Sequence, residues 1–271
     1  MQRKAAVHVS QMLNIVRNAL RPGYGGEMLR KLSLRWRERG AATRREMIEW
    51  CRERQADAAA WARSMDDRLW DEASAFAREQ RERAVRKSEE LGIPVGGAGF
   101  YELLYFLVRF LRPETIVETG VAFGFSSRAF LSALAENDQD RGTLYSSDFP
   151  YFRLGEPERI IGCLVEPALR KHWVLLIGSD RTNLMRIAAD VATIDLLHYD
   201  SDKSYSGRQF ALRTLGRRLV KDALILFDDI QDNLHFRDWV EEERRDHMVF
   251  EFGGKWIGLT GGPDRLYRQG R

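Results

Sequence analysis

The sequence predicts an α/β fold: a seven-stranded, mostly parallel sheet closed by a terminal antiparallel hairpin and preceded by a helical N-terminal region. Three observations carry this expectation. From about residue 95, short apolar runs alternate with helix-length segments, the pattern of βαβ units whose crossovers force parallel pairing. The last two runs are joined directly at Gly253-Gly254, a hairpin connection. Residues 1 to about 90, by contrast, show only the 3.6-residue period of helices.

In the helical region Val9, Met12, Leu13, Val16 and Leu20 share one face before Arg21-Pro22-Gly23 and Gly25-Gly26 break the pattern. Thr43 with Glu46, and Ser64 with Asp67, each fit a capping box. Met47, Cys51, Trp61, Met65, Leu69, Ala73 and Phe76 keep the helical period, and Trp50 and Trp70 widen that face. Gly92, Pro94, Gly96-Gly97 and Gly99 then mark a boundary, giving a helical region over 1–92 and an α/β domain over 93–271. Strands are expected at 115–118, 143–147, 174–177, 194–199, 223–227, 248–252 and 256–259.

Composition bounds the function. The 271 residues are 44% hydrophobic and 31% charged, which describes an ordinary globular chain. A net charge of +3 is too small to imply nucleic-acid binding. The basic excess is nevertheless uneven: residues 1–45 carry eleven Lys and Arg against Glu27 and Glu38. Such a start reads as a solvated helical face, or as a contact for a membrane surface, an acidic partner or nucleic acid. Two cysteines far apart, Cys51 and Cys163, support neither a disulfide framework nor a thiolate metal site. No secretory signal is evident, and the most apolar run, 100–111, is short and interrupted by Glu102 and Arg109, so it is no membrane span. The expected location is the cytoplasm.

The first chemical motif is the turn Glu118-Thr119-Gly120-Val121-Ala122-Phe123-Gly124, leading into a helix at Ser126-Ser127. Gly120 permits a tight turn, Gly124 lets backbone approach a ligand, and the free N–H groups near Ser126 and Ser127 suit an anionic group. Asp148 ends the second strand about 20 residues on, where an acid holds the ribose hydroxyls of a nucleoside. Gly178-Ser179-Asp180 ends the third strand, where an adenine ring would rest in this topology. Taken with Asp200 and Asp228-Asp229, this pattern over residues 95 to 262 resembles the Rossmann-like class I S-adenosylmethionine-dependent methyltransferases. The resemblance implies S-adenosylmethionine as cofactor, held by Glu118, Thr119, Gly120, Gly124, Ser126, Ser127, Asp148, Ser179 and Asp180. An NAD-dependent oxidoreductase is the competing use of such a turn; the Gly-x-x-x-Gly spacing and the terminal hairpin argue against it.

The second motif is Asp200-Ser201-Asp202-Lys203 at the end of the fourth strand, beside Asp228-Asp229 at the end of the fifth. Neighbouring parallel strands bring these acids together. Asp200, Asp228 and Asp229 repel one another unless a cation neutralises them, and an all-oxygen set suits Mg²⁺ or another divalent ion. Asp-x-x-Lys followed by an acidic pair is similar to the cation-dependent O-methyltransferases of the catechol and caffeoyl-coenzyme A type. The second acid, Asp229, stands where those have Asn and resembles the macrocin-type sugar O-methyltransferases. The resemblance implies Asp200, Asp228 and Asp229 as metal ligands and Lys203 as the catalytic base. Arginine outnumbers lysine by 36 to 7, so a lysine in this turn is consistent with a need for a deprotonatable amine; the plainer alternative is an ion pair with Asp202 or another carboxylate.

The expected reaction is therefore metal-assisted O-methylation of a small hydroxylated acceptor such as a sugar, a catechol or a natural-product intermediate. Metal-independent N- or O-methylation, and a cofactor-binding interaction protein, stand as alternatives. Residues 1–92 are expected to serve packing, homodimerisation or as an acceptor lid. His198 reads as a satisfied core histidine. Asn233, His235 and Phe236 are candidates to line the acceptor pocket, with Tyr205 packed against the turn and Trp173 and Trp256 in the core.

Overall fold

The computed structural model describes residues 12–21, 24–38, 40–96, 99–137, 141–152 and 155–267. Helix α1 (12–19) and α2 (Tyr24–Glu38) are followed by α3 (Ala41–Arg54), a two-residue strand β1 (Gln55–Ala56), α4 (Ala58–Met65) and α5 (Asp67–Leu91). The α/β part runs α6 (Tyr101–Leu111), β2 (Thr115–Thr119), α7 (Phe125–Glu136), β3 (Thr143–Asp148), β4 (Trp173–Ile177), α8 (Asp180–Asp190), β5 (Ile194–Tyr199), α9 (Tyr205–Leu215), β6 (Leu219–Phe227), α10 (His235–Glu242), β7 (His247–Phe252) and β8 (Lys255–Gly261).

All seven expected strands form, and β1 adds an eighth. The sheet order is β1-β7-β8-β6-β5-β2-β3-β4, with β8 antiparallel to both β6 and β7 and the other pairs parallel. The strand order reverses between β2 and β5, because β3 and β4 lie to one side and β6 to the other. Such a switch point opens a crevice beyond the carboxyl ends of the strands. The central strands are buried on both faces, so their runs are continuously apolar rather than alternating.

Two cores flank the sheet. One joins α4 and α5 (Trp61, Trp70, Phe76) to α6, α7 and sheet residues Ile116, Leu196 and Phe250. The other joins Met47, Trp50 and Cys51 of α3 to Val117, Leu197, Ile225 and Phe236. Helices α3 to α5 thus bury the helical-period face that the sequence marked.

Local details differ from expectation at three places. The capping boxes do not form: α3 starts at Ala41, placing Thr43 inside it, and Ser64 continues α4. The working caps are Asp57, which accepts from the N–H groups of Ala59 and Ala60, and Asp66, which accepts from Leu69 N–H. Asp competes well with Ser and Thr for this role because a carboxylate also opposes the positive helix end. The apolar stripe of α1 is not buried: Met12, Leu13, Val16 and Leu20 are exposed, and Val9 lies outside the described residues. Among the described residues, no helix is long and apolar enough to cross a membrane.

Candidate functional site

The glycine turn leaves β2 at the switch point. Gly120 has φ +84°, and a Cβ there would stand 2.5 Å from the Asp200 carbonyl oxygen, so glycine is required where β2 and β5 end side by side. Gly124 has φ +93°, and its Cβ would meet Gly162 Cα at 2.8 Å. The absent side chain of Gly124 thus also lets the chain at 162 pack close against the turn.

Several expected cofactor residues brace the turn from behind. Glu118 is fully buried, and its carboxylate accepts from Ser127 Oγ (2.6 Å) and Ser146 Oγ (2.8 Å), with Ser126 a further donor. Burial raises its pKa, and His198 together with those hydroxyls only partly offsets the effect. Thr119 Oγ1 accepts from Asp200 N–H, and Ser179 Oγ caps α8. These side chains are engaged within the protein.

Asp148 and Asp180 face the crevice. Asp148, at the end of β3, accepts from Ala122 N–H (2.9 Å) through one oxygen and from Phe149 N–H (2.8 Å) through the other. Burial pushes its carboxyl up to about 6 against the pull of those two donors. Asp180 Oδ1 accepts from Ser147 Oγ at 2.9 Å, while its buried Oδ2 has no hydrogen-bond partner. The aromatic run Phe149 to Phe152 follows Asp148 directly. Tyr151 stacks over Phe123 of the turn, and its phenol is raised by burial and by the Asp148 and Asp200 carboxylates.

Helix α2 lies across this edge. Tyr24 packs on Phe149 and Phe152, with centroids 5.2 and 6.2 Å apart. Lys31 Nζ stands 4.8 Å over the Phe149 ring and 4.0 Å from Asp180 Oδ2. Arg30 pairs with Glu27 on its own helix and with Asp202 at 2.9 Å, and Glu38 accepts from Tyr205 N–H and Ser206 Oγ. A helix docked through pairs more than 100 residues apart leaves no local sign in the sequence of where it packs.

The second motif gathers at the ends of β5 and β6. Lys203 Nζ bridges Asp200 Oδ1 (2.8 Å) and Asp229 Oδ2. Burial alone would lower its pKa, but the two carboxylates outweigh burial and raise it. This is the opposite of the shift expected for a base, because an ammonium between two anions holds its proton. Asp200 is raised by burial and by nearby Asp228, while Lys203 pulls it down. Asp229, with Lys203 and Lys255 beside it, ends below the usual carboxylate range despite burial. Its backbone adopts φ +50°.

Asp228 turns the other way, toward fully buried His198 at 3.4 Å, and its Oδ1 has no hydrogen-bond partner. Burial lowers the imidazole pKa, but Asp228, Asp200 and Glu118 more than restore it. Gly99 seals Asp228 from outside, since a Cβ there would stand 2.5 Å from Oδ2.

Arg208 holds the acidic turn from below. It is fully buried and donates to the carbonyls of Asp228 (2.9 Å) and Asp229 (2.8 Å) and to Asn233 Oδ1 (3.3 Å). Asn233 Nδ2 in turn donates to the Lys203 carbonyl. His235 is kept neutral by burial and Arg208, with its pKa driven down to about 3. Phe236 is core, Trp256 is buried, and half-buried Trp173 packs over Gly162.

The resemblance implies a divalent cation at Asp200, Asp228 and Asp229. The three acids share one edge, yet an ammonium occupies the space between two of them and the third faces His198. Among the described residues no three of His, Cys, Asp and Glu gather so as to hold a metal ion. As arranged, this donor set does not fit a divalent ion. A groove of about 630 Å³ between α5 and α7, lined by Phe76, Tyr105, Arg128 and Glu166, lies apart from these strand ends.

Comparison with solved structures places the chain in the class I methyltransferase fold. A protein from Klebsiella pneumoniae, described as a candidate O-methyltransferase, superposes with a TM-score of 0.52 at 16% identity, covering 67% of this chain and 89% of its own. A methyltransferase from Geobacter sulfurreducens gives 0.50 at 20% identity, with 68% and 89% covered. The O-methyltransferase from Bacillus cereus, solved in complex with SAH, gives 0.51 at 13% identity, with 68% and 90% covered. Residues 117–230, from the core of β2 past the acidic pair, match the family model described as a methyltransferase domain. The matched stretch contains the glycine turn and both acidic motifs. No curated protein matches the chain in sequence.

Proposed function

We propose that the protein is an S-adenosylmethionine-dependent O-methyltransferase acting on a small hydroxylated acceptor. The observation that carries this reading is the pairing of two half-sites across the switch point. Asp148, Phe149 and Asp180 offer acceptors and an aromatic face to a nucleoside; Asp200, Lys203 and Asp229 offer a charged edge to a hydroxyl. The SAH bound by the Bacillus cereus protein of the same fold supports the choice of cofactor.

Methyl transfer from a sulfonium is an in-line displacement that needs the acceptor oxygen oriented and its proton removed. In this reading Lys203, kept charged by its two carboxylates, orients the acceptor oxygen and stabilises developing negative charge. Asp200, raised by burial and by Asp228, takes the proton. Titration calorimetry with S-adenosylhomocysteine tests the cofactor half: micromolar binding lost in Asp148→Ala supports it, and no binding at millimolar ligand removes it. For the second half, Lys203→Met is expected to keep cofactor affinity while losing turnover at least about 100-fold; full turnover would place the orienting group elsewhere.

A second reading has a divalent ion displace Lys203 from between Asp200 and Asp229. It is favoured by three carboxylates, Asp200, Asp228 and Asp229, at one sheet edge, although Asp228 Oδ1 lies 3.4 Å from His198 Nε2. Activity undiminished in excess EDTA decides for the lysine; loss restored by Mg²⁺ decides for the ion.

A further inference from the structure

Helices α1 and α2 turn their apolar side outward. Among the described residues eleven large apolar side chains are exposed, and six of them fall in this short stretch: Met12, Leu13, Val16, Leu20, Leu29 and Leu32, at 53–80% exposure. The inward side carries the polar groups instead: Asn18, Glu27, Arg30 and Lys31, engaged with Phe152, Asp202 and Asp180. A helix on a water-facing surface does the reverse, burying its apolar stripe. The inversion is tolerable inside because the inward charges are paired. Outside, it leaves an apolar surface that water does not favour.

The charge around that surface indicates what covers it. Arg17 and Arg37 are exposed beside the leucines, Arg21 is exposed but paired with Glu158, Glu27 is buried and Glu38 is turned toward Tyr205. Among the described residues 12–38 no exposed side chain is acidic. A second copy docked through the same face would set arginines against arginines with no acid to offset them. An anionic lipid surface supplies both missing complements: acyl chains for the leucines and phosphates for the arginines.

We propose that α1 and the outer face of α2 form a peripheral docking surface for an anionic bilayer, lying in the headgroup plane without spanning it. The leucines enter the headgroup–acyl boundary and the flanking arginines meet lipid phosphates. The proposal is independent of which methyl acceptor the protein uses.

Sedimentation of the full chain with vesicles tests it. Vesicles of phosphatidylcholine containing about a third phosphatidylglycerol are expected to pull the protein down, pure phosphatidylcholine vesicles are not, and added salt weakens the binding. Leu20→Asp with Leu29→Asp is expected to lower the partition coefficient at least about tenfold, and Arg17→Glu with Arg37→Glu to do likewise. Both pairs lie on the outer face, so an unchanged unfolding midpoint verifies the fold of each variant. The proposal is overturned by no sedimentation with the anionic vesicles, or by equal sedimentation of the leucine variant. A dimer that Leu20→Asp dissolves would give the face to a second copy, and retention on polyglutamate without vesicle binding would give it to an acidic protein.

Discussion

Replacing Arg208 by Met removes the one side chain that holds the Asp228–Asp229 turn from beneath. The arginine is fully buried, and its guanidinium meets two backbone carbonyls at 2.9 and 2.8 Å and Asn233 at 3.3 Å. Methionine replaces the apolar stem but donates nothing. The Asp228 carbonyl then stands buried without a donor, at a cost of about 1–3 kcal/mol, while the Asp229 carbonyl keeps the Asp232 N–H at 3.1 Å. Part of this is offset because the desolvated charge disappears with the arginine, whose pKa burial already lowers. The net destabilisation is about 1–2 kcal/mol, a sizeable fraction of a domain's total stability. Urea unfolding followed by tryptophan fluorescence measures it, with Arg208→Lys expected to fall between wild type and Met because one ammonium reaches fewer of the three acceptors. Nucleoside affinity is expected to survive in the folded Met variant, since Asp148 ends β3 and Asp180 begins α8, while turnover falls as the acidic turn loosens. Stability within about 0.5 kcal/mol of wild type would refute the assignment of Arg208 as the support of the turn.

Three further outcomes follow from the same geometry. Lys31 stands over Phe149 and beside Asp180, where the proposed nucleoside must go; the cation–π contact and ion pair together hold it by about 1–2 kcal/mol. Lys31→Ala should therefore tighten S-adenosylhomocysteine binding about 5- to 30-fold by calorimetry, and weaker binding would make Lys31 a cofactor contact instead. Because Asp148 is raised to about 6, it is protonated below that pH and ionised above it. Ribose hydroxyls donate to the ionised form, so affinity should fall as pH drops below 6, by at most about tenfold per unit; affinity flat from pH 5 to 7.5 would separate Asp148 from the ligand. Gly124→Ala combines a left-handed φ with a backbone contact at 2.8 Å and should cost more than about 2 kcal/mol on thermal or urea unfolding; a neutral effect would show that the chain at 162 yields freely.

The sheet was legible because period and punctuation are local. Each of the seven strands lies within a few residues of its expected bounds, since an apolar run bounded by turn residues specifies a buried parallel strand by itself. The two-residue β1 was not, because so short a strand is made by the edge of β7 rather than by its own residues. The site was legible where residue type alone fixes chemistry, as at Gly120 or the strand-end acids. It was not legible where a charge depends on its neighbours. Lys203 sits where the motif puts it, yet the direction of its pKa depends on which carboxylates flank it in space. Arg208 gave no signal at all among 36 arginines; only full burial distinguishes it. Phe149 to Phe152 offered a usable sign, an aromatic run just after the ribose acid.

Helix α2 joins the two proposals physically. Its inner side places Lys31 and Tyr24 against Phe149, and its outer side presents Leu29 and Leu32. An α-helix of fifteen residues behaves as one rigid body, so an interaction on either side bears on its position as a whole. A nucleoside that displaces the whole helix, rather than the Lys31 side chain alone, would shift the leucines against a bilayer. Linkage then requires reciprocity: the factor by which a bound bilayer changes nucleoside affinity equals the factor by which the nucleoside changes bilayer affinity. The sign depends on whether the bilayer grips α2 closed over Asp180 or drawn away from it. In water the closed position has paired charges inside and bare leucines outside, so its inner contacts alone hold it. A bilayer that receives the leucines without breaking those contacts would keep the site shut. Only one that draws the helix outward would turn membrane docking into a means of opening the methyl-donor site.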